Sequence, residues 1–226
     1  MSRIIKFYDD CKPDDESDVV KLAANFLDKG LAIAVPTDTI YGVAVKAQHS
    51  KAVDALYRMK NRDKRKPVAL CVAKIHDIPR WAKVTIPNSL LAALLPGPVT
   101  LVFERTIELN PYLNAGVNLV GIRIPRHNLL LRIVEAIGEP LALTSANISN
   151  DKSSLDIKEF ESLWSDLSLV IDQGKLGNSE EARFGSTVVD LSIPGFYRTI
   201  RDGSALEQTK KKLNEFNLSE LFDGIS

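Results

Sequence analysis

Cysteine is scarce. Only Cys11 and Cys71 occur in 226 residues, far apart and with no C-x-x-C spacing. That rules out a disulfide framework and a cysteine-based zinc site, and it fits a reducing compartment. The three histidines, His49, His76 and His127, show no ligand spacing such as H-E-x-x-H, so no protein metal site is expected. An excess of one charge is missing as well. The 29 Lys and Arg balance the 29 Asp and Glu, whereas a protein that coats nucleic acid is usually basic. No apolar run approaches the ~18 residues of a membrane span. The opening MSRIIKFYDDCKPDDESD pairs a short apolar run with acids, unlike a secretory signal or a clear mitochondrial presequence. The expected location is cytoplasmic, and a mitochondrial pool remains compatible with it. Neither G-x-x-x-x-G-K-[ST] nor a G-x-G-x-x-G after a strand occurs, so the usual nucleotide-binding signatures are absent.

What is present alternates between helical and extended patterns. Val19, Leu22, Ala23, Phe26 and Leu27 recur at helical spacing, with Ser17 or Asp18 as a cap and Gly30 as a stop. Ser50 opens a second helix, residues 87–95 a third, and HNLLLRIVEAIG a fourth that ends at Gly138. Phe160, Leu163, Trp164 and Leu167 mark another, and a polar helix closes the chain. Between them LAIAVP, PVALCVA, VTLVFE, VGIRIP, PLALTS, LVID, STVVDL and YRTIR read as short strands. The class is α/β with an open, twisted, mixed β-sheet and flanking helices. One main domain is expected over residues 17–204, after an N-terminal segment 1–16. A helical tail follows over 205–226, its last ~15 residues loosely attached.

The charge pattern is not uniform. RMKNRDKRKPV, residues 58–68, gathers Arg58, Lys60, Arg62, Lys64, Arg65 and Lys66 around the single acid Asp63. Four polar segments, PTDTIYG, KNRDKRKP, LTSANIS and FGSTVVD, lie at or near the ends of apolar runs, where open α/β sheets build their sites. Converging there, cations, hydroxyls, an amide and backbone N–H groups suit a phosphate-bearing ligand. The same segments also read as a strand-end turn, a solvated helix terminus, a helix start and half of a strand core. Composition and spacing alone leave both readings open.

Six blocks narrow the choice. VPTDTIYGVA, KNRDKRKPVALCV, LLPGPVTLVFE, VGIRIPRH, PLALTSANIS and GSTVVDLS occur in that order between about Gly30 and Arg201. Together they resemble the YrdC family of threonylcarbamoyl-AMP synthases, and the animal YrdC-domain proteins in particular. The resemblance implies a single YrdC-like domain with a positively charged concavity. It implies that L-threonine, bicarbonate or CO2, and ATP yield L-threonylcarbamoyl-AMP and pyrophosphate. That is the first step of N6-threonylcarbamoyladenosine modification of tRNAs reading ANN codons. A separate transferase complex then takes over, so no stable tRNA binding by this chain is required. The long bacterial and archaeal relatives carry an extra C-terminal domain, for which this chain is expected to be too short.

The resemblance also implies residues. Lys60 and Arg62 match the family's K-x-R element, and Ser145 and Asn147 its S-x-N element; these four form the catalytic set. Arg62, Lys66, Leu119, Ser145, Ser153 and Arg201 fall at ATP-binding positions. Thr39, Cys71, Arg123, Leu143 and Ser186 fall at threonine-binding positions. Magnesium is expected with ATP, held by phosphates and water rather than by a dedicated protein site. Three positions depart from the common pattern: Asn61 replaces a glycine, Asp202 a proline and Cys71 a frequent histidine. Two other readings compete, an RNA-binding module and a carbamoyl-transferring relative with the same fold.

Overall fold

Periodicity becomes structure element by element in the computed structural model, which describes residues 2–7, 13–61, 66–149 and 151–221. Strand β1 (Arg3–Lys6) is followed by α1 (Pro13–Asp28), then β2 (Ile33–Val35), β3 (Gly42–Lys46) and α2 (Ser50–Met59). Next come β4 (Ala69–Cys71), the single turn α3 (Ile78–Trp81), β5 (Ala82–Lys83), α4 (Asn88–Leu94), β6 (Val99–Arg105) and β7 (Leu119–Arg123). The chain continues through α5 (Asn128–Ile137), β8 (Leu141–Ser145), β9 (Leu169–Asp172), β10 (Thr187–Asp190), β11 (Phe196–Arg201), α6 (Leu206–Glu215) and β12 (Ser219–Glu220).

Caps set several boundaries. His127 Nδ1 accepts from Leu130 N, and Gly138 at φ 68° ends α5 in the left-handed region that suits glycine. His49, the residue before Ser50, caps α2 by accepting from Ala52 N. Helix α1 starts earlier than expected, at Pro13 rather than after Ser17 or Asp18. Proline fits a first helical turn, where its missing N–H has no intrahelical partner to lose. The segment around Phe160 is not an α-helix. Residues 157–166 form 3₁₀ turns broken at Phe160 (φ −126°, ψ 29°), whose i, i+3 spacing meets the same apolar pattern. Strands β1 and β3 and the two-residue strands β5 and β12 were not expected from the sequence.

One mixed sheet runs in the order β1-β9-β2-β3-β8-β4-β7-β6-β10-β11-β12, with β5 on β6. Its two faces are covered differently. On one, Val43, Leu70, Phe103, Ile122 and Val189 join Leu56 of α2, Leu91 of α4 and Leu213 of α6 in a continuous core. On the other, Val35, Ala44, Cys71 and Leu143 pack with Leu27 of α1 and Ile133 of α5. The cluster under α1 and α5 reaches β4 through Cys71. Beyond it the same face of β7, β6, β10 and β11 borders a cavity.

Up to residue 221, the C-terminal residues are integrated rather than loosely attached, and the last five lie outside the described residues. Leu213 is fully buried and Leu218 nearly so. Strand β12 pairs in parallel with β11 through Phe196↔Ser219 and Tyr197↔Glu220. Within α6, Thr209 is 1% exposed, and its hydroxyl has no hydrogen-bond partner. Burying an unpaired hydroxyl is unfavourable, and valine has the same shape and similar helix propensity. Thr209→Val should therefore raise the unfolding free energy by about 1 kcal/mol, read from the urea midpoint. A lower midpoint would show that the hydroxyl is satisfied in solution.

Candidate active site

The uncovered face encloses about 340 Å³. Its position follows from strand alternation. Thr100 and Val102 on β6, Leu119, Gly121 and Arg123 on β7, and Leu143 and Ser145 on β8 all point to this side, two residues apart as the pleat requires. The floor is largely apolar. The rim adds hydroxyls from Thr37, Thr144 and Ser186 together with two guanidinium groups, Arg123 and Arg201. Among the described residues no carboxylate lines the wall.

Arg123 is the best-defined polar group. It is 7% exposed, and its Nη2 donates to Asp38 Oδ1 at 2.6 Å and to Thr39 Oγ1 at 2.7 Å. Asp38 Oδ2 accepts from Arg126 N at 3.0 Å, so the carboxylate is fixed from two directions. The turn that presents Asp38 and Thr39 is tied by Thr37, whose hydroxyl donates to Ile40 O and accepts from Thr39 N and Ile40 N. Arg123 Nε is buried with no hydrogen-bond partner, and the guanidinium lines the cavity. Cys71 pairs with Arg123 across β4 and β7, but it is fully buried. Burial pushes its thiol up to about 12, outweighing the favourable charge of Arg123. It packs rather than reacts.

Across the cavity, Ser186 forms a second polar centre. Its hydroxyl lies 2.8 Å from Thr100 Oγ1 and accepts from Arg201 Nη2 at 3.0 Å. Arg201 Nε and Nη2 also donate to Ser186 O at 3.1 and 2.7 Å. Gly203 allows this close approach, because a Cβ there would fall 2.2 Å from Thr187 N and 2.3 Å from Ser186 C.

The third centre joins the basic segment to the end of β8. Lys60 is 1% exposed, which excludes the solvated-helix-end reading for this residue. Its ammonium donates to Ser145 O, and Lys60 O accepts from Ser149 N at 3.2 Å. Asn147 is 8% exposed. Its Nδ2 donates to Ile148 O and Asp151 O at 2.7 and 2.9 Å, while Oδ1 has no partner. Arg62 lies outside the described residues, as do Asp63, Lys64 and Arg65. Lys66 is described and exposed.

Residues 173–184 form a connecting loop, closed by a 3₁₀ turn at Glu181–Phe184. Tyr41 anchors its start, donating to Gly174 O at 2.7 Å and accepting from Gln173 N at 2.9 Å. Burial raises the Tyr41 phenol well above its ordinary range. Arg183 anchors its end with a bidentate bridge to Glu159 at 2.7 and 2.9 Å, and with a bond to Ser153 O. That bridge holds the Glu159 carboxyl down at about 2.

Of the residues singled out from sequence, Leu119, Arg123, Leu143, Ser145, Ser186 and Arg201 line one cavity. Thr39 joins them through Arg123. Lys60, Cys71 and Asn147 are buried outside that lining, with Lys60 bonded to Ser145. Ser153 does not line the cavity; its carbonyl accepts from Arg183 Nη1 at 2.7 Å. The sequence reading passed over Asp38 and Thr100. Both were visible only as polar residues inside quoted blocks, PTDT and PVTLVFE.

Comparison with known proteins agrees with this geometry. The Sua5/YciO/YrdC family model, described as "Telomere recombination", matches residues 25–203. The threonylcarbamoyl-AMP synthase of Bos taurus is 50% identical over 204 residues, covering 89% of this chain and 74% of the relative. The crystal structure of Pyrococcus abyssi Sua5 complexed with L-threonine superposes with a TM-score of 0.83 at 27% identity, over 97% of this chain and 63% of that one. Escherichia coli YciO shares the fold, with a TM-score of 0.79 at 22% identity over 90% of this chain and 96% of its own. With the family's blocks set around one cavity and its model spanning residues 25–203, the chain belongs to the Sua5/YciO/YrdC family.

Proposed function

We propose that this protein is an L-threonylcarbamoyl-AMP synthase, using L-threonine, bicarbonate or CO2, and ATP, and releasing pyrophosphate. The observation that carries the reading is Arg123, a cavity-lining guanidinium fixed by Asp38 and Thr39. A guanidinium held by Asp38 and Thr39, with a donor to spare, suits a carboxylate. Threonine placed there directs its amine into the cavity, where reaction with CO2 gives a carbamate. A carbamate oxygen attacks the α-phosphorus of ATP, and pyrophosphate leaves with the bonding electrons. No covalent enzyme intermediate is needed. The product feeds N6-threonylcarbamoyladenosine formation in tRNAs reading ANN codons.

The remaining assignments follow the same logic. Thr39, Arg123, Leu143 and Ser186, with Cys71 beneath them, form the threonine side. Arg62, Lys66, Leu119, Ser145, Ser153 and Arg201 form the ATP side, where basic groups counter the charge that develops on the leaving phosphates. Lys60 adds a fixed positive charge and holds Ser145 in place. Asn147 ties the segment after β8 through its bonds to Ile148 O and Asp151 O. Magnesium is expected to arrive with ATP, held by phosphates and water.

Pyrophosphate release by purified protein tests the reading. It should require threonine, bicarbonate and ATP together, and release without threonine would overturn it. Binding of RNA alone, falling steeply with salt, would favour the RNA-binding alternative. A carbamoyl-transferring relative would use an acceptor other than threonine. Supplied with unmodified tRNA but no transferase complex, the protein should leave the tRNA unmodified above the slow reaction of the free adenylate.

Arg62→Ala should lower turnover strongly, by roughly tenfold for each 1.4 kcal/mol of transition-state stabilisation lost. Arg62→Lys keeps the charge but loses the planar fork, so it should also be impaired. Steady-state rates at saturating threonine decide this. Full activity in a folded Arg62→Ala protein would remove Arg62 from the catalytic set.

A further inference from the structure

Thr100 lines the cavity, yet no sequence motif marked it. It is 5% exposed, and Ser186 is 3% exposed. Strands β6 and β10 run in parallel, with Thr187 opposite Val99 and Val188 opposite Thr100, so Ser186 stands just before that pairing begins. The two hydroxyl oxygens are 2.8 Å apart. The Thr100 rotamer is fixed from the other side as well. Gly121 on β7 has no side chain, and Thr100 Cγ2 fills the room that one would need. A Cβ on Gly121 would lie 2.8 Å from that methyl, well inside the separation at which carbon atoms pack. Threonine is branched at Cβ and stiff at χ1. With the methyl seated over Gly121, the hydroxyl is directed at Ser186.

The protons of this pair can be counted. Arg201 Nη2 donates to Ser186 Oγ at 3.0 Å, and a guanidinium has no acceptor to offer in return. Each hydroxyl carries a single proton. Their mutual contact consumes one of the two, and among the described residues neither hydroxyl has a further acceptor. One O–H therefore remains at a wall that both residues line. The adjacent guanidinium polarises the pair, which favours donation to a ligand oxygen. Deleting the Thr100 hydroxyl would leave that count unchanged, because Ser186 keeps its own proton and its bond from Arg201. What would be lost is direction, since the Ser186 hydroxyl would no longer sit between two fixed partners.

We propose that Thr100 is a positioning residue for the amino-acid substrate: its hydroxyl donates to Ser186 Oγ, so that Ser186 turns its own proton to an oxygen of threonine. The inference rests on the functional reading above, which places Ser186 on the threonine side. Thr100 acts through Ser186 and not through Arg123, whose guanidinium is held by Asp38 and Thr39. Arg201 keeps its two bonds to Ser186 O in either case, so the ATP side should feel little.

The test compares Thr100→Ala with Thr100→Ser. Both lose the methyl over Gly121, and they differ only in the hydroxyl. Threonine and ATP dissociation constants are measured separately by calorimetry, with a thermal melt of each variant. Thr100→Ala should bind threonine roughly fivefold more weakly, the worth of one ordinary hydrogen bond, with ATP affinity kept within about twofold. Thr100→Ser should return threonine affinity to within about twofold of the unsubstituted protein. A double-mutant cycle supplies the decisive arm. In a Ser186→Ala background, Thr100→Ala should change threonine affinity by less than about twofold, because the residue it positions is gone. A further loss of the original size there would overturn the inference. Thr100→Val gives the same comparison if Thr100→Ala does not fold. Threonine affinity that is unchanged in Thr100→Ala, lost equally in Thr100→Ser, or lost together with ATP affinity and melting temperature would also overturn the inference alone. Failure of the unsubstituted protein to bind threonine would overturn the functional reading and this inference with it.

Discussion

Arg123→Ala should abolish measurable threonine binding and destabilise the fold by about 3–5 kcal/mol, as expected when a buried ion pair loses one partner. Both effects come from the same geometry. Asp38 and Arg123 have side chains only 10% and 8% exposed, so the carboxylate left behind cannot regain full hydration. Arg126 N still donates to it, but one neutral donor does not replace a cation. The loss of threonine binding is separate, because the cavity-lining guanidinium is itself removed. Arg123→Lys distinguishes the two. Lysine restores a positive charge beside Asp38 and should recover part of the stability, yet it lacks the planar fork for a carboxylate. The checks are urea unfolding and threonine calorimetry on both variants. An Arg123→Ala protein with wild-type stability and threonine affinity would remove Arg123 from the site.

Gly203→Ala should be nearly as damaging, although Gly203 itself is not among the cavity's lining residues. An added Cβ would lie 2.2 Å from Thr187 N, 2.3 Å from Ser186 C and 2.5 Å from Ser186 O. All three are backbone atoms, so no side chain can swing aside. Relief requires either β10 or the Arg201–Gly203 segment to move. The strain should cost about 1–3 kcal/mol or more. Ser186 stands between Thr100 and Arg201, and a shift of ~1 Å there should lower kcat/KM by roughly a hundredfold. Steady-state kinetics with a parallel thermal melt separates the two losses. An active, fully stable Gly203→Ala protein would mean that the contact relaxes without moving Ser186.

These two expectations rest on residues of very different legibility. Helix α5 was plain in the sequence, with its apolar stripe and Gly138 stop, and the strand cores were plain as apolar runs. Which face of those strands stays uncovered was not. Val102, Leu119 and Val188 are apolar on the cavity side, just as Phe103, Val120 and Val189 are on the packed side. A ligand surface built from apolar side chains erases the period-2 signal that would reveal it. The segment around Phe160 failed for a related reason, since apolar spacing of three does not distinguish 3₁₀ turns from α-helix.

Single polar residues were harder still. Asp38 in PTDT looks like any turn residue until Arg123 is folded against it from far along the chain. Asn114 sits in a stretch, LNPYLNAG, that reads as ordinary loop, and the pairing of its side-chain amide with Val68 N and O is wholly tertiary. Lys60 was legible only through resemblance. Its place among six cations suggested solvent, whereas the fold buries it on Ser145. Motif order located the cavity's walls, but the groups that hold those walls in register depend on contacts that no local pattern encodes.

The central claim is that this cavity joins threonine, one carbon from bicarbonate, and AMP. The most direct measurement incubates the purified protein with ¹³C-bicarbonate, L-threonine and magnesium-ATP, followed by mass spectrometry of the quenched mixture. The expected result is threonylcarbamoyl-AMP carrying one ¹³C atom, with pyrophosphate formed in equal amount and Arg123→Ala forming neither. Pyrophosphate or AMP without a labelled threonine adduct, or an adduct formed equally well by Arg123→Ala, would contradict it.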